Sequence, residues 1–239
     1  MSFTTPDIMA CAISRLLRDG EIAFFGLASP LVMVSTLLAK ATHAPNLTFL
    51  SIPGSINPVL DRLPTSTVDS ALLKGSTGIF PLSEIFDLSA RGRLDTAFLS
   101  GVQIDGRGRI NMSAIGPYEQ PKVRLPGGAG SALLLPTARR TILWRTRHDP
   151  RTFVEQLDFV TASGNVAWVI TPLCLFGRDG VGNLYVHSIH PGVTPEQVVK
   201  ATGFPVAVDA DTLVTPAPTP AELDALSRID PENVRAAEF

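Results

Sequence analysis

LDTAFLSGVQIDGRGRINMSAIGPYEQPKVRLPGGAGSA, residues 94–132, is the stretch on which the reading of the fold turns. It opens with Thr96-Ala97-Phe98-Leu99, a short apolar run without polar alternation, as a strand buried on both faces requires. The run breaks at Gly101, and a short connection then gathers Gln103, Asp105, Gly106, Gly108 and Asn111. It closes on Gly127-Gly128-Ala129-Gly130-Ser131-Ala132, a segment almost without side chains. Such a loop lets a ligand lie against backbone N–H groups, because glycine accepts φ > 0 and no Cβ holds the ligand away. The same composition also suits a tight turn in which glycines permit close packing. Composition alone leaves both readings open.

Outward from this stretch the chain alternates strands and helices. Toward the N-terminus, Thr5-Pro6 starts a helix whose apolar residues Ile8, Met9, Ala12, Ile13, Leu16 and Leu17 share one face, and Gly20 stops it. A strand is expected at Glu21–Gly26, a helix from Leu31 to about Ala41, a strand at Leu47–Ser51, and a helix at Ser83–Arg91 ending at Gly92. Beyond the glycine loop come an apolar segment at Ser131–Leu135, strands at Thr141–Trp144 and Ala167–Thr171, and a helix or irregular turn around Phe153–Leu157 between them. Two apolar runs flank Arg178-Asp179-Gly180-Val181-Gly182-Asn183 within Leu173–His190, a hairpin signature. Thr194-Pro195-Glu196 caps a helix that ends at Gly203, Phe204–Val208 is expected as a last short strand, and Ala221–Ile229 as a closing helix. The rhythm predicts an α/β fold: an open, mostly parallel sheet with helices on both faces and an antiparallel hairpin near the C-terminus, in one domain spanning 1–239. Open sheets of this kind bind ligands at the carboxyl ends of their strands.

Composition narrows the function. A chain of 239 residues with 45% hydrophobic and 18% charged residues can bury a sizeable core. A net charge of −2 leaves no electrostatic footprint for nucleic acid; the basic cluster Arg139, Arg140, Arg145, Arg147 and Arg151 reads as a solvated or subunit-facing surface. Cys11 and Cys174 sit in apolar segments without a Cys-x-x-Cys pair, a cytoplasmic pattern. Asp7, Arg15 and Arg18 interrupt any signal peptide, and no apolar run is long enough to span a bilayer. His43, His148, His187 and His190 lack the spacing of metal ligands, so no metal is expected, and His190-Pro191-Gly192 reads as a turn.

The order of the motifs adds what composition does not. Gln103-Ile104-Asp105 with Gly108 and Asn111, Ser113-Ala114-Ile115-Gly116, Pro121-Lys122-Val123-Arg124 and Gly127-Gly128-Ala129-Gly130 occur in sequence, with Ala41–Leu47 before them and Asp158-Phe159-Val160-Thr161 and His190–Thr194 after. With these motifs the chain resembles the β subunit of class I CoA-transferases, most closely the glutaconate CoA-transferase type, over Met9 to about Asp230. The resemblance implies a CoA-transferase fold, an acyl-CoA substrate in which coenzyme A is the only cofactor-like group, and a homologous α subunit in a heterodimer or dimer of heterodimers. It also implies a glutamate nucleophile after the strand at Leu47–Ser51, where this chain has Ile52 in Ser51-Ile52-Pro53-Gly54.

Isoleucine has no lone pair with which to form a glutamyl thioester. The resemblance therefore implies carbon–carbon bond cleavage on an acyl-CoA, either decarboxylation or hydrolytic ring opening, as in relatives that lack the glutamate. The alternatives are a genuine CoA-transferase whose carboxylate comes from elsewhere, and a non-catalytic CoA-binding subunit. In the first reading Ser51, Ile52 and Gln103 surround the acyl portion, and Gly127, Gly128, Ala129, Gly130, Ser131 and Ala132 bind coenzyme A or hold an oxyanion.

Overall fold

A computed structural model describes residues 2–209 and 212–239. The chain divides into two compact units: Met1–Phe98 with Ala217–Phe239, and Leu99–Pro216.

In the first unit, α1 (Thr5–Leu16) begins with Pro6 in its first turn, and Asp7 accepts hydrogen bonds from the Thr4 backbone N–H and hydroxyl, both at 2.8 Å. The strand β1 (Ile22–Phe25) follows, then α2 (Pro30–Thr42) and β2 (Thr48–Leu50). Two short strands, β3 (Ser55–Ile56) and β4 (Gly78–Ile79), precede α3 (Ser83–Ala90) and β5 (Thr96–Leu99). The sheet order is β5-β1-β2-β3-β4, with β1 parallel to both its neighbours and β3 and β4 added antiparallel at the edge. Pairing Ala23 with Phe49 and Phe24 with Leu50 puts Phe25 and Phe49 on one face, where their rings stack at 5.5 Å. Met9 and Ile13 of α1, Leu31, Met33 and Leu38 of α2, and both phenylalanines are among the most deeply buried side chains. The edge strands β3 and β4 are two residues each, too short for a hydrophobic period to announce them.

The second unit opens with two small antiparallel ribbons, β6 (Gln103–Ile104) with β7 (Ile110–Asn111), and β8 (Ala114–Ile115) with β9 (Val123–Arg124). The apolar segment expected at Ser131–Leu135 is helical: α4 (Ser131–Thr137) starts directly from the glycine loop. Then come β10 (Arg140–Trp144), β11 (Val166–Ile170), β12 (Cys174–Arg178), β13 (Leu184–Ile189), α5 (Pro195–Ala201) and β14 (Leu213–Val214). Here β10 and β11 are parallel, and β12 and β13 form the expected antiparallel hairpin. Phe153–Leu157 is irregular, with Phe153 bridged to Ile104.

The strand expected at Phe204–Val208 is absent. The parallel partner of β13 is β14 at Leu213–Val214, and Phe204 is instead a core residue that packs its ring 6.1 Å from Phe176. The last helix, α6 (Pro220–Ile229), returns to the first unit, where Glu222 pairs with Arg15 of α1 at 2.6 Å. Parallel strands alternating with helices, flanked by antiparallel edges, are the α/β architecture read from the sequence.

Candidate functional site

In the first unit, the loop after β2 is a closed turn. The Gly54 N–H donates to the Ser51 carbonyl at 3.0 Å, and the Ser51 N–H to the Ser55 carbonyl at 3.1 Å. The two hydroxyls, Ser51 Oγ and Ser55 Oγ, lie 2.5 Å apart, and neither residue is exposed. Gly54 sits at φ +94°, and a Cβ there would lie 2.1 Å from the Phe80 carbonyl oxygen, so the turn demands glycine. Ile52 and Pro53 occupy the tip, half-buried. The sequence from Leu47 to Leu60 contains no Asp or Glu. Asp61, the first acid beyond it, is exposed and pairs with Lys74. The turn thus carries two hydroxyls that satisfy each other and an aliphatic tip.

In the second unit, the motifs of the sequence converge on one cluster. Gln103 and Asn111 face each other across β6 and β7. Asn111 Nδ2 donates to Gln103 Oε1 and to the Ala114 carbonyl, each at 2.7 Å, while Gln103 Nε2 donates to Asp158 at 2.9 Å. Asn111 Oδ1 accepts the Ser113 N–H at 2.9 Å. What the sequence presents as a loose polar connection is a ribbon whose amides hold its own backbone. Gln103 is therefore occupied in positioning Asn111 and Asp158.

Thr161 ties this cluster to the glycine loop. Its hydroxyl accepts the Met112 N–H at 2.8 Å and lies 2.7 Å from Ser113 Oγ, while its methyl occupies the place beside Gly128, 2.9 Å from where a Cβ would stand. Gly127, at φ +89°, donates its N–H to the Met112 carbonyl at 2.7 Å. Ala129 is held at φ +42°, a conformation that costs a non-glycine residue and persists where the surroundings over-determine it. Ser131 donates both its N–H (2.8 Å) and its hydroxyl (2.5 Å) to the Gly128 carbonyl. Among the described residues, the N–H groups of Gly128, Ala129, Gly130 and Ala132 meet no protein acceptor. The loop is a frame held by its own hydrogen bonds that leaves backbone donors unused, a composition suited to an anion or a developing oxyanion.

The turn read at His190-Pro191-Gly192 is present, closed by the Val193 N–H to the His190 carbonyl at 3.1 Å, and the His190 and His148 rings pack into the second unit. His190 is buried; its Nε2–H donates to the Thr171 carbonyl at 2.9 Å, and Nδ1 lies 2.9 Å from the Thr215 hydroxyl. His148 lies against Phe153, ring centroids 4.3 Å apart, with its nitrogens 2.9 and 3.0 Å from the hydroxyls of Thr171 and Thr202. Burial lowers both imidazoles to about 4, so both are neutral at pH 7. The Cys11 and Cys174 thiols are pushed up to about 12 by burial and are inert as nucleophiles. Sequence reading missed Thr161, the link between cluster and loop; a lone threonine carries no local signal, and only its place in Asp158-Phe159-Val160-Thr161 draws notice.

Among known proteins, residues 7–201 match the family described as Coenzyme A transferase. One subunit of the 3-oxoadipate CoA-transferase of Pseudomonas knackmussii is 32% identical, covering 98% of this chain and 96% of its own length. The cholesterol ring-cleaving hydrolase IpdB subunit of Rhodococcus jostii is 33% identical over 67% of this chain and 69% of its own. A solved structure, the decarboxylase AibA/AibB, superposes with a TM-score of 0.94 at 31% identity, covering all of this chain and 99% of its own.

Proposed function

Because the chain belongs to the coenzyme A transferase family, we propose that it is the β subunit of a heteromeric enzyme that breaks a carbon–carbon bond in an acyl-CoA thioester, by decarboxylation or hydrolytic ring opening. The observation that carries the reading is the turn after β2, where Ile52 stands at the tip and no carboxylate occurs from Leu47 to Leu60. A thioester exchange needs a nucleophilic side chain there. Cleavage next to a thioester carbonyl needs instead a place for an enolate or oxyanion, and fixed backbone donors serve that role. The Gly127–Ala132 loop supplies such donors. The likeness to a decarboxylase and to a ring-cleaving hydrolase supports this choice. Coenzyme A enters as part of the substrate, without a metal, and a homologous α subunit completes the site in a heterodimer or dimer of heterodimers. The two units serve as one subunit domain over 1–239, working in the cytoplasm, where free buried thiols are at home.

The likeness to the 3-oxoadipate CoA-transferase favours a second reading, CoA transfer between carboxylic acids, with the carboxylate supplied from the α subunit. One experiment separates the two. The complex with the α subunit is incubated with a panel of acyl-CoAs, trapped with borohydride or hydroxylamine, and weighed intact. Release of CO₂, or uptake of water across a carbon–carbon bond, with no trapped adduct is the expected result. A glutamyl adduct on either subunit overturns it in favour of transfer.

A further inference from the structure

The sheet of the first unit is finished differently on its two faces. Alternation along the strands, with Ile22 paired to Thr48 and Leu50 to Ile56, puts these four side chains on the face opposite Phe25 and Phe49. On that face a cavity of about 310 Å³ lies between the strands and α3, whose Ile85 and Leu88 form its other wall. Leu50 and Ile85 are buried, but Ile22, Ile56, Phe80 and Leu88 are only half-buried, so a wall of hydrocarbon is left partly wet. α3 is tied at both ends. Before its start the Phe80 N–H donates to the Gly54 carbonyl at 2.8 Å, and at its end the Gly92 and Arg93 N–H groups donate to the Ser89 and Leu88 carbonyls at 2.8 and 2.9 Å.

Four exposed charged residues border the cavity: Glu84 and Asp87 on α3, Arg91 at its end, and Arg93 in the connection to β5. Asp87 and Arg91 have the spacing of a helical ion pair, yet among the described residues neither arginine is paired with a carboxylate. Two guanidiniums outweigh the roughly half negative charge of a helix C-terminus, so this end of the cavity is cationic. Ile22 and Thr48 open β1 and β2, and Arg93 precedes β5, which sets the cationic end at the amino ends of the parallel strands. The turn at Ser51–Gly54 leaves β2 at its carboxyl end, where open parallel sheets take their reacting ligand. The inner wall nevertheless reaches that turn. Leu50 and Ile56 flank it in sequence, and the Phe80 backbone packs against Gly54.

We propose that this cavity is a ligand site apart from the catalytic one, for a small amphipathic carboxylate: an apolar chain of about eight carbons against Ile22, Leu50, Ile56 and Leu88, with its carboxylate at Arg91 and Arg93. Such a ligand displaces water from the apolar wall and gives the two guanidiniums the anion that Glu84 and Asp87 do not. Because the walls include residues on both sides of the Ser51–Ser55 turn, occupancy holds that turn closed, which makes the ligand an effector. The site does not rest on the reaction proposed above.

Calorimetry on the complex with the α subunit compares octanoate, octan-1-ol and octylamine. Octanoate binds most tightly, and the double variant Arg91→Ala, Arg93→Ala loses its advantage over the alcohol while the alcohol still binds. Leu88→Trp, which fills the cavity, abolishes binding of both. Position is read directly in the wild-type complex with labelled isoleucine and leucine methyls, a measurement that stands even if Leu88→Trp does not fold. Octanoate shifts Ile22, Ile56 and Leu88, and at ten times its dissociation constant it slows hydrogen exchange of the Gly54 and Phe80 amides about tenfold. Equal affinity for octanoate and octan-1-ol, tighter binding of octylamine, methyl shifts outside this cavity, or unchanged exchange at Gly54 and Phe80 overturns the proposal. So does a complex in which the α subunit already covers these methyls and octanoate does not bind.

Discussion

The turn at Ser51–Ser55 and the loop at Gly127–Ser131 are both tight, glycine-dependent and placed where a ligand is expected, yet they spend their polar groups in opposite ways. In the turn, the two serines bond to each other and to the turn's own backbone, and the tip is Ile52. In the loop, side chains hold the frame while the successive N–H groups of Gly128, Ala129 and Gly130 meet no acceptor among the described residues. In the function proposed above, chemistry rests on the backbone of the loop and not on a side chain of the turn. A side-chain nucleophile forms a bond, whereas a backbone donor stabilises charge, and that difference separates acyl transfer from bond cleavage next to a thioester.

The contrast is most sharply broken at Gly54. With φ +94° and the Phe80 oxygen 2.1 Å from a new Cβ, Gly54→Ala forces the turn open and costs on the order of 4 kcal/mol or more, read as loss of the denaturation midpoint. A stability close to wild type means the turn is not built as described. At the loop, Gly128→Val drives a side chain into the Thr161 methyl and tilts the donors. Turnover of the assembled complex falls by about 10²–10³ while subunit assembly persists. If assembly fails along with activity, the loop braces the fold and has no separate chemical role.

The units also differ in how pH reaches them. His148 and His190 have folded values near 4 against an ordinary 6.5, so the unfolded chain binds more protons between those limits. Their contribution is complete above pH 6.5 and is lost as the pH falls toward 4, at up to about 1.4 kcal/mol per pH unit each. In the first unit, burial raises the Asp7 and Glu222 carboxyls, but hydrogen bonds from Thr4 and Arg235, and from Arg15 and Thr219, outweigh it and hold both low. Their contribution is lost only as the pH falls below the ordinary carboxylate range. Hydrogen exchange followed from pH 7 to 4.5 is expected to show loosening in residues 99–216 while the amides of α1 and α6 stay protected. Simultaneous loosening of both units contradicts this assignment.

The smallest effect belongs to Ala129. Glycine there removes the penalty of φ +42° but adds freedom to the unfolded chain, so Ala129→Gly changes stability by less than about 1 kcal/mol, on the stabilising side. A clear loss of stability shows that the methyl has a packing role.

Long or strongly patterned elements were legible in the residues alone. The strand expected at Leu47–Ser51 is Thr48–Leu50, the one at Ala167–Thr171 is Val166–Ile170, and the helix from Thr194-Pro195-Glu196 carries its full capping box, with Thr194 and Gln197 exchanging hydrogen bonds. What escaped was set by tertiary contact. The four strands from Gln103 to Arg124 are two residues each, and their pairing comes from Asn111, Gln103 and Thr161 acting across the fold. Phe204–Val208 has the composition of a strand, but its first ring is claimed by the Phe176 core, and the open pairing edge of β13 is taken by Leu213–Val214. At the candidate site, the glycine loop and Ile52 could be read from residue types. The inward commitment of Gln103 could not, because whether an amide faces a ligand or its own backbone depends on neighbours far away in sequence.

The chain order of the two units has its own consequence. Residues 99–216 are continuous, whereas the first unit is split, and its closing helix α6 is bound to α1 through Arg15–Glu222 and by Arg235 reaching both Asp7 and Asp230. On the ribosome, the second unit is complete while the first still waits for the segment that seals α1 and α2. Any assembly that uses the surface of the first unit is thus deferred until residues 217–239 have emerged. A chain cut short before residue 217 would present a finished glycine loop on a protein that cannot close its other half.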